Sequence, residues 1–276
     1  MDTDEFLYNI ENDIYFSFVR YNDGEIISLM NYDFINNAFD VFNHTNCDGH
    51  NYFNEMNKGL YDAVTSVKNK EYSENGKYIF QISIDVLIYI FTNKIESNGW
   101  TYTPIHSEAF TLNKLHELKQ NIKVKINNCY NHGEVLNNRI YAENDNTFIK
   151  FIDIINKKKV ILIGPEYLKE FKPLIINQHI IIPLKNCFLD KDRIIQEINH
   201  IIDNNDKGCI FLFCASMATN YIIDKLFEKT LNKHTMIDIG SSFDNFLSKE
   251  KFPFICRRVY NPEFIKQNYP SNYWIE

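Results

Sequence analysis

Two carboxylates separated by a single glycine, Asp23-Gly24-Glu25, lie just beyond Arg20 in the segment Arg20-Tyr21-Asn22-Asp23-Gly24-Glu25. Asp23 and Glu25 can offer hard oxygen donors to Mg²⁺ or Mn²⁺, with Gly24 permitting a tight turn between them. Arg20 can pair with a carboxylate or meet a diphosphate through its fixed fork of donors. An exposed acidic turn with a nearby arginine is the bland alternative.

Three further groupings can carry chemistry. In Cys47-Asp48-Gly49-His50, Asp48 can orient or deprotonate a hydroxyl, and His50 can bind phosphate or titrate near neutrality. The same four residues also suit an ordinary polar turn with His50 at the start of the next helix. In Phe213-Cys214-Ala215-Ser216-Met217-Ala218-Thr219, small residues allow close backbone approach by a ligand, and first-turn amides can face an anion. Ser216 as a plain helix cap explains that segment equally well. In Asp238-Ile239-Gly240-Ser241-Ser242-Phe243-Asp244, polar side chains follow an apolar run and can line a cleft or simply cap a sheet.

Several chemistries lack their signatures. There is no G-x-x-x-x-G-K, G-x-G-x-x-G, G-x-S-x-G or H-E-x-x-H pattern. The Asp48/His50 pair does not point to an iron oxygenase, because no strand-rich jelly-roll pattern surrounds it. A net charge of −7 argues against nucleic acid as a partner. The densest basic run, Lys157-Lys158-Lys159, reads better as a solvated helix end than as a phosphate patch.

The elements that must hold these loops follow from apolar patterning. With 276 residues and 45 % hydrophobic content, including 22 Phe and 17 Tyr, the chain can bury a substantial core. Ile14–Arg20 reads as a strand ending at Asn22-Asp23-Gly24, with a helix from Glu25. Residues 52–70 carry helical spacing through Phe53, Met56, Leu60, Ala63 and Val67. Strands are expected over 78–82, 159–163, 180–183, 208–213 and 235–239. Helical segments are expected over 166–171, 192–203 and 216–229. This alternation predicts βαβ crossovers, hence an α/β fold with a parallel or mixed sheet.

The six cysteines form no C-x-x-C pair, and a reducing, cytoplasmic compartment suits them (the host's, for a viral chain). The opening residues lack a signal peptide's basic and apolar regions. No window reaches the roughly 18 to 20 apolar residues that span a bilayer, so no transmembrane segment is expected.

The block Phe16-Ser17-Phe18-Val19-Arg20-Tyr21-Asn22-Asp23-Gly24-Glu25 resembles the S-F-V-R-[FY]-G-D-G-E block of the GT-D family of glycosyltransferases, bacterial enzymes that elaborate protein-linked or surface glycans. Asn22 replaces the usual glycine, and asparagine tolerates the left-handed conformation better than most residues. Further blocks follow in the family's order: Val160–Pro165, Ile181–Phe188, Phe211–Thr219 and Met236–Gly240. Ser241 stands where the family often has histidine. The similarity spans residues 16–242 but is poor over residues 52–151.

The resemblance implies a single GT-D domain over residues 1–276, with a Rossmann-like parallel or mixed sheet and helices on both faces. The divergent 52–151 region is expected to contribute acceptor binding. The implied activity is metal-dependent transfer of a sugar from a nucleoside-diphosphate donor to a glycan or glycoprotein acceptor. Asp23 and Glu25 are then the Mn²⁺ or Mg²⁺ ligands. Arg20, Asp23, Glu25, Ser216, Thr219 and Ser241 serve the donor, and Asp48, His50 and Asp238 are the catalytic candidates on the acceptor side. A metal-dependent phosphohydrolase of sugar or nucleotide phosphates and a non-enzymatic carbohydrate- or nucleotide-binding module are the alternatives.

Overall fold

A computed structural model describes residues 3–21, 24–25, 28–29, 53–82, 146–247, 267 and 269–273. Its contacts divide the chain into two compact units, Met1–Phe18 with Asn128–Glu276, and Val19–Asn127. The described strands are β1 (Ser17–Tyr21), β2 (Tyr78–Ile82), β3 (Lys159–Gly164), β4 (Gln178–Ile181), β5 (Cys209–Phe213) and β6 (Thr235–Asp238). They form one sheet in the order β2-β1-β6-β5-β3-β4. The pairs β1/β6, β6/β5, β5/β3 and β3/β4 are all parallel. This is the Rossmann-like α/β architecture with flanking helices that the strand–helix alternation and the family resemblance imply.

In the larger unit β5 lies between β3 and β6, and all five of its side chains are buried. The sequence Cys-Ile-Phe-Leu-Phe therefore runs without polar alternation, as a parallel strand covered on both faces requires. β3 is buried from Val160 to Gly164, and β6 is buried throughout. The register pairs Ile163 with Phe213 and Phe213 with Asp238, so the turns after β3, β5 and β6 emerge side by side.

Four helices clothe this part of the sheet: α1 (Thr3–Glu11), α4 (Thr147–Ile155), α5 (Lys191–Asp203) and α6 (Ala218–Thr230). α1 packs on α4, and α5 on α6. α5 buries Ile194, Ile198, Ile201 and Ile202, a single stripe at helical spacing. α4 does the same with Phe148, Phe151, Ile152 and Ile155. Phe6 of α1 meets Phe16 and Phe18 edge-on at 5.4 and 5.3 Å, which anchors the start of β1.

The lysine run is accounted for by local ties. Lys158 Nζ donates to Asp13 Oδ1 at 2.8 Å and to the Glu11 carbonyl at 2.9 Å, and Lys159 Nζ donates to Asn205 Oδ1 at 2.6 Å. These contacts sit at the amino end of β3, away from the turns that follow the strands.

In the smaller unit the helical pattern of residues 52–70 resolves into two helices, α2 (Asn54–Thr65) and α3 (Val67–Glu74). Ser66 separates them in an extended conformation, and its hydroxyl accepts the Asn69 N–H at 3.2 Å, capping α3. Met56, Leu60 and Ala63 are buried as their spacing predicts, whereas Val67 is 70 % exposed. The break re-phases the second helix and turns Val67 away from the stripe. Ser28 donates to Asn57, and the Tyr21 hydroxyl donates weakly to the Leu60 carbonyl at 3.4 Å, tying α2 to the segments on either side of Gly24. Among the described residues no helix is long and apolar enough to cross a membrane.

Candidate functional site

Parallel strands deliver their following turns to one rim, where ligands of open α/β sheets bind. In the larger unit that rim is built from the turns after β3, β5 and β6. The chain leaves β3 at Gly164-Pro165 and enters a 3₁₀ turn, Glu166–Glu170. A Cβ on Gly164 would stand 2.7 Å from Leu168 Cδ1 in the same turn and 3.2 Å from Cys214 Cβ in the turn after β5, so the close packing here favours glycine. The Gly164 carbonyl accepts the Ile182 N–H at 3.2 Å and lies 2.9 Å from His179 Nε2. Burial of the His179 ring lowers its pKa, which favours the neutral ring.

The turn after β5 is closed by its own polar groups. The Cys214 N–H donates to the Ile163 carbonyl at 2.7 Å. The Ala215 N–H donates to the Thr219 hydroxyl oxygen at 3.1 Å, and the Thr219 N–H donates to the Ser216 carbonyl at 2.9 Å. Ser216 occupies the left-handed region at φ 51°. α6 begins at Ala218 with no side-chain cap, so Ser216 is a turn residue and its hydroxyl does not cap the helix. Non-glycine residues in this region are uncommon and concentrate where the surroundings over-determine the backbone. Cys187 adds a further tie: its thiol donates to the Ala215 carbonyl at 2.9 Å. Burial pushes the Cys187 pKa up to about 12, which leaves it a thiol and a poor nucleophile.

The turn after β6 is organised by Asp238. Its Oδ1 accepts the Gly240 N–H at 2.9 Å across a turn in which Gly240 takes φ 48°. Ile239 and Gly240 both donate to the Phe213 carbonyl, at 3.0 and 3.2 Å, so this turn is pinned to the end of β5. The Ser241 carbonyl accepts the Asp244 N–H at 3.1 Å, and the Ser242 hydroxyl donates to the Ile239 carbonyl at 2.6 Å. Asp238 is buried, while Ser241 and Asp244 are part-exposed. The Tyr167 hydroxyl donates to Asp244 Oδ1 at 3.1 Å, linking the turn after β3 to the one after β6.

Of the sequence-derived candidates, Ser216, Thr219, Asp238 and Ser241 therefore belong to one rim of the larger unit. Thr219 is fully buried with its hydroxyl committed to Ala215, so it acts by shaping the turn. Arg20 and Glu25 belong to the smaller unit. Arg20 is buried near the end of β1, and Glu25 is buried in a helical turn beyond it. Asp23, Asp48 and His50 lie outside the described residues. Among the described residues no three His, Cys, Asp or Glu side chains converge as a metal site. Sequence reasoning missed Gly164, Tyr167 and Cys187 as rim builders. Only Gly164-Pro165 carried a turn signal. A tyrosine and a buried thiol in apolar surroundings gave none.

The parallel sheet and its turn-lined rim place the chain among Rossmann-like α/β proteins. Its fold is that of a structure described as a new glycosyltransferase (DUF1792) from Streptococcus sanguinis. That likeness has a TM-score of 0.52 at 12% identity and covers 99% of this chain and 95% of the other. Two further structures each cover 99% of this chain and 92% of theirs at 13% identity. One, with a TM-score of 0.47, is described as the highly conserved domain of unknown function 1792 with a distinct glycosyltransferase fold. The other, with a TM-score of 0.49, is a selenomethionine-substituted domain of unknown function 1792. No family model and no curated protein matches the chain.

Proposed function

We propose that this protein is a glycosyltransferase that moves a sugar from a nucleoside-diphosphate donor to a glycan or glycoprotein acceptor. The observation that carries this reading is the Arg20–Glu25 segment, an arginine near the end of β1 and a D-x-E pair that follows the strand in sequence, in a chain whose fold is that of the Streptococcus sanguinis protein. A sheet rim at the carboxyl ends of parallel strands, with the hydroxyl-bearing Ser216 and Ser241 in its turns, suits a phosphorylated ligand.

In this reading Arg20, Ser216 and Ser241 serve the donor. Thr219 fixes the Ser216 turn from within. Asp238, Asp48 and His50 serve the acceptor, where one of them takes the proton of the attacking hydroxyl. Asp23 and Glu25 are the carboxylates that would hold a divalent cation, Mn²⁺ or Mg²⁺, which when bound neutralises charge developing on the departing diphosphate.

The test is incubation with a panel of nucleotide sugars and glycan or glycopeptide acceptors, with and without Mn²⁺ or Mg²⁺. Release of nucleoside diphosphate matched one for one by a new glycoside supports transfer. Free phosphate with no glycoside supports a phosphohydrolase instead. Saturable donor binding with no product from any acceptor supports a binding module.

A further inference from the structure

β5 lies between β3 and β6, so any contact between the turns after β3 and β6 must pass over the end of β5. Among the described residues such contacts are of two kinds, aromatic packing and a hydrogen bond. Phe171, just after the 3₁₀ turn of β3, stacks on Phe243 with ring centroids 4.8 Å apart and planes 21° apart. Tyr167, inside that turn, donates its hydroxyl to Asp244 Oδ1. The residues on the β6 side are sequence neighbours, Phe243 facing the core and Asp244 facing the rim.

The apolar half of this connection is heavily built. Phe148 stacks on Phe246 at 5.1 Å, and Phe171 also meets Phe246 at 5.3 Å. Four buried rings therefore hold residues 243–246 in place whether or not Tyr167 has a hydroxyl. The hydrogen bond contributes something the stack cannot. Rings slide over one another at small cost, whereas a phenol–carboxylate bond weakens steeply with distance and angle. It ties Asp244, just past the Asp238–Ser242 turn, directly to the turn after β3.

We propose that Tyr167 and Asp244 form a positioning clasp over the end of β5, which sets the Asp238–Ser242 turn for sugar transfer. The clasp rests on the glycosyltransferase reading given above. Neither residue needs to touch the donor or acceptor. Each acts through the turn that carries Asp238 and Ser241.

Tyr167→Phe removes the hydroxyl and keeps the ring. With nucleotide sugar and acceptor, it is expected to lower kcat roughly tenfold, the share of a charge-assisted hydrogen bond that reaches the turn. The affinity for nucleoside diphosphate alone and the unfolding midpoint should stay close to those of the parent protein. Asp244→Asn keeps an oxygen that accepts from Tyr167, so it should retain most of the rate, whereas Asp244→Leu should match Tyr167→Phe. Amide hydrogen exchange gives a readout independent of turnover: Gly240 and Ser242 should exchange faster in Tyr167→Phe, with β5 unchanged. Unaltered kcat in Tyr167→Phe, or equal loss in Asp244→Asn and Asp244→Leu, would overturn the clasp alone, provided the parent protein transfers sugar. A parent protein that neither binds a nucleoside diphosphate nor transfers a sugar would remove the functional reading and the clasp together.

Discussion

The hydroxyl of Thr219, fully buried in the first turn of α6, accepts the Ala215 N–H at 3.1 Å and closes the turn that follows β5. Ala215 is itself buried, so this amide has no access to water as a substitute. Thr219→Val keeps the shape and removes the acceptor. It should destabilise the protein by about 1–3 kcal/mol, the cost of an orphaned buried donor. Thr219→Ser should recover most of that loss. Denaturant midpoints of the two variants check the prediction, and equal destabilisation by both would assign the effect to packing.

Gly164 offers a test of how tightly the rim is packed. Its backbone conformation is open to other residues, and the obstacle is the 2.7 Å approach to Leu168 Cδ1 together with the 3.2 Å approach to Cys214 Cβ. Leu168 is buried, so any shift of its side chain must disturb packed neighbours. Gly164→Ala should therefore cost about 1–3 kcal/mol by overpacking. Adding Leu168→Ala should make the double variant less damaged than the sum of the single losses, because the clash partner is gone. Strict additivity in thermal or urea unfolding would contradict the packing account.

The opposite end of the sheet predicts a pH dependence. His234 is buried at the amino end of β6, where its Nδ1 accepts the Cys209 N–H at 3.3 Å. Burial, with Lys233 adding to it, lowers the folded-state pKa below the ordinary value of 6.5. The unfolded chain then binds the proton first. The stabilisation is fully present above about pH 6.5 and is lost as pH falls toward the folded value. His179, also depressed by burial, acts in the same direction. His234→Asn supplies an acceptor near the Nδ1 position without a titrating ring, so stability should fall less steeply between neutral and acidic pH. An unchanged slope in the variant would exclude His234 as a source.

Much of the fold was legible in the sequence because its central strands are buried on both faces. Cys209–Phe213 and residues 160–163 are unbroken apolar runs, and their spacing with α5 and α6 signals crossovers. α4 was not read, because Thr147–Ile155 is short and apolar on most sides, so helix and strand patterns compete. The break at Ser66 was invisible for the converse reason: the apolar spacing runs straight through it, and only the Ser66 cap re-phases the helix.

The rim was legible in outline only. Asp238 and Ser241 stood out as polar residues at the end of an apolar strand, and the structure puts Asp238 at the end of β6 and Ser241 in the turn that follows. Ser216 fits a helix cap by composition, yet its positive φ and the uncapped start of α6 come from the tertiary ties of Cys214, Ala215 and Thr219. Tyr167 meets Asp244 across 77 positions of sequence, and no local pattern encodes such a pair.

Metal-dependent transfer by Asp23→Asn and Glu25→Gln variants, each measured beside its thermal unfolding, tests the central claim most directly. Were these carboxylates a helix-capping pair, their loss would cost about 0.5–2 kcal/mol of stability, and any fall in activity would follow unfolding. As ligands for Mn²⁺ or Mg²⁺ at a nucleoside diphosphate, they should lower transfer by roughly 100-fold or more, the scale for removing preorganised charge stabilisation. Both variants should remain folded, with the parent's metal dependence lost. Full metal-dependent transfer by both folded variants would contradict the account.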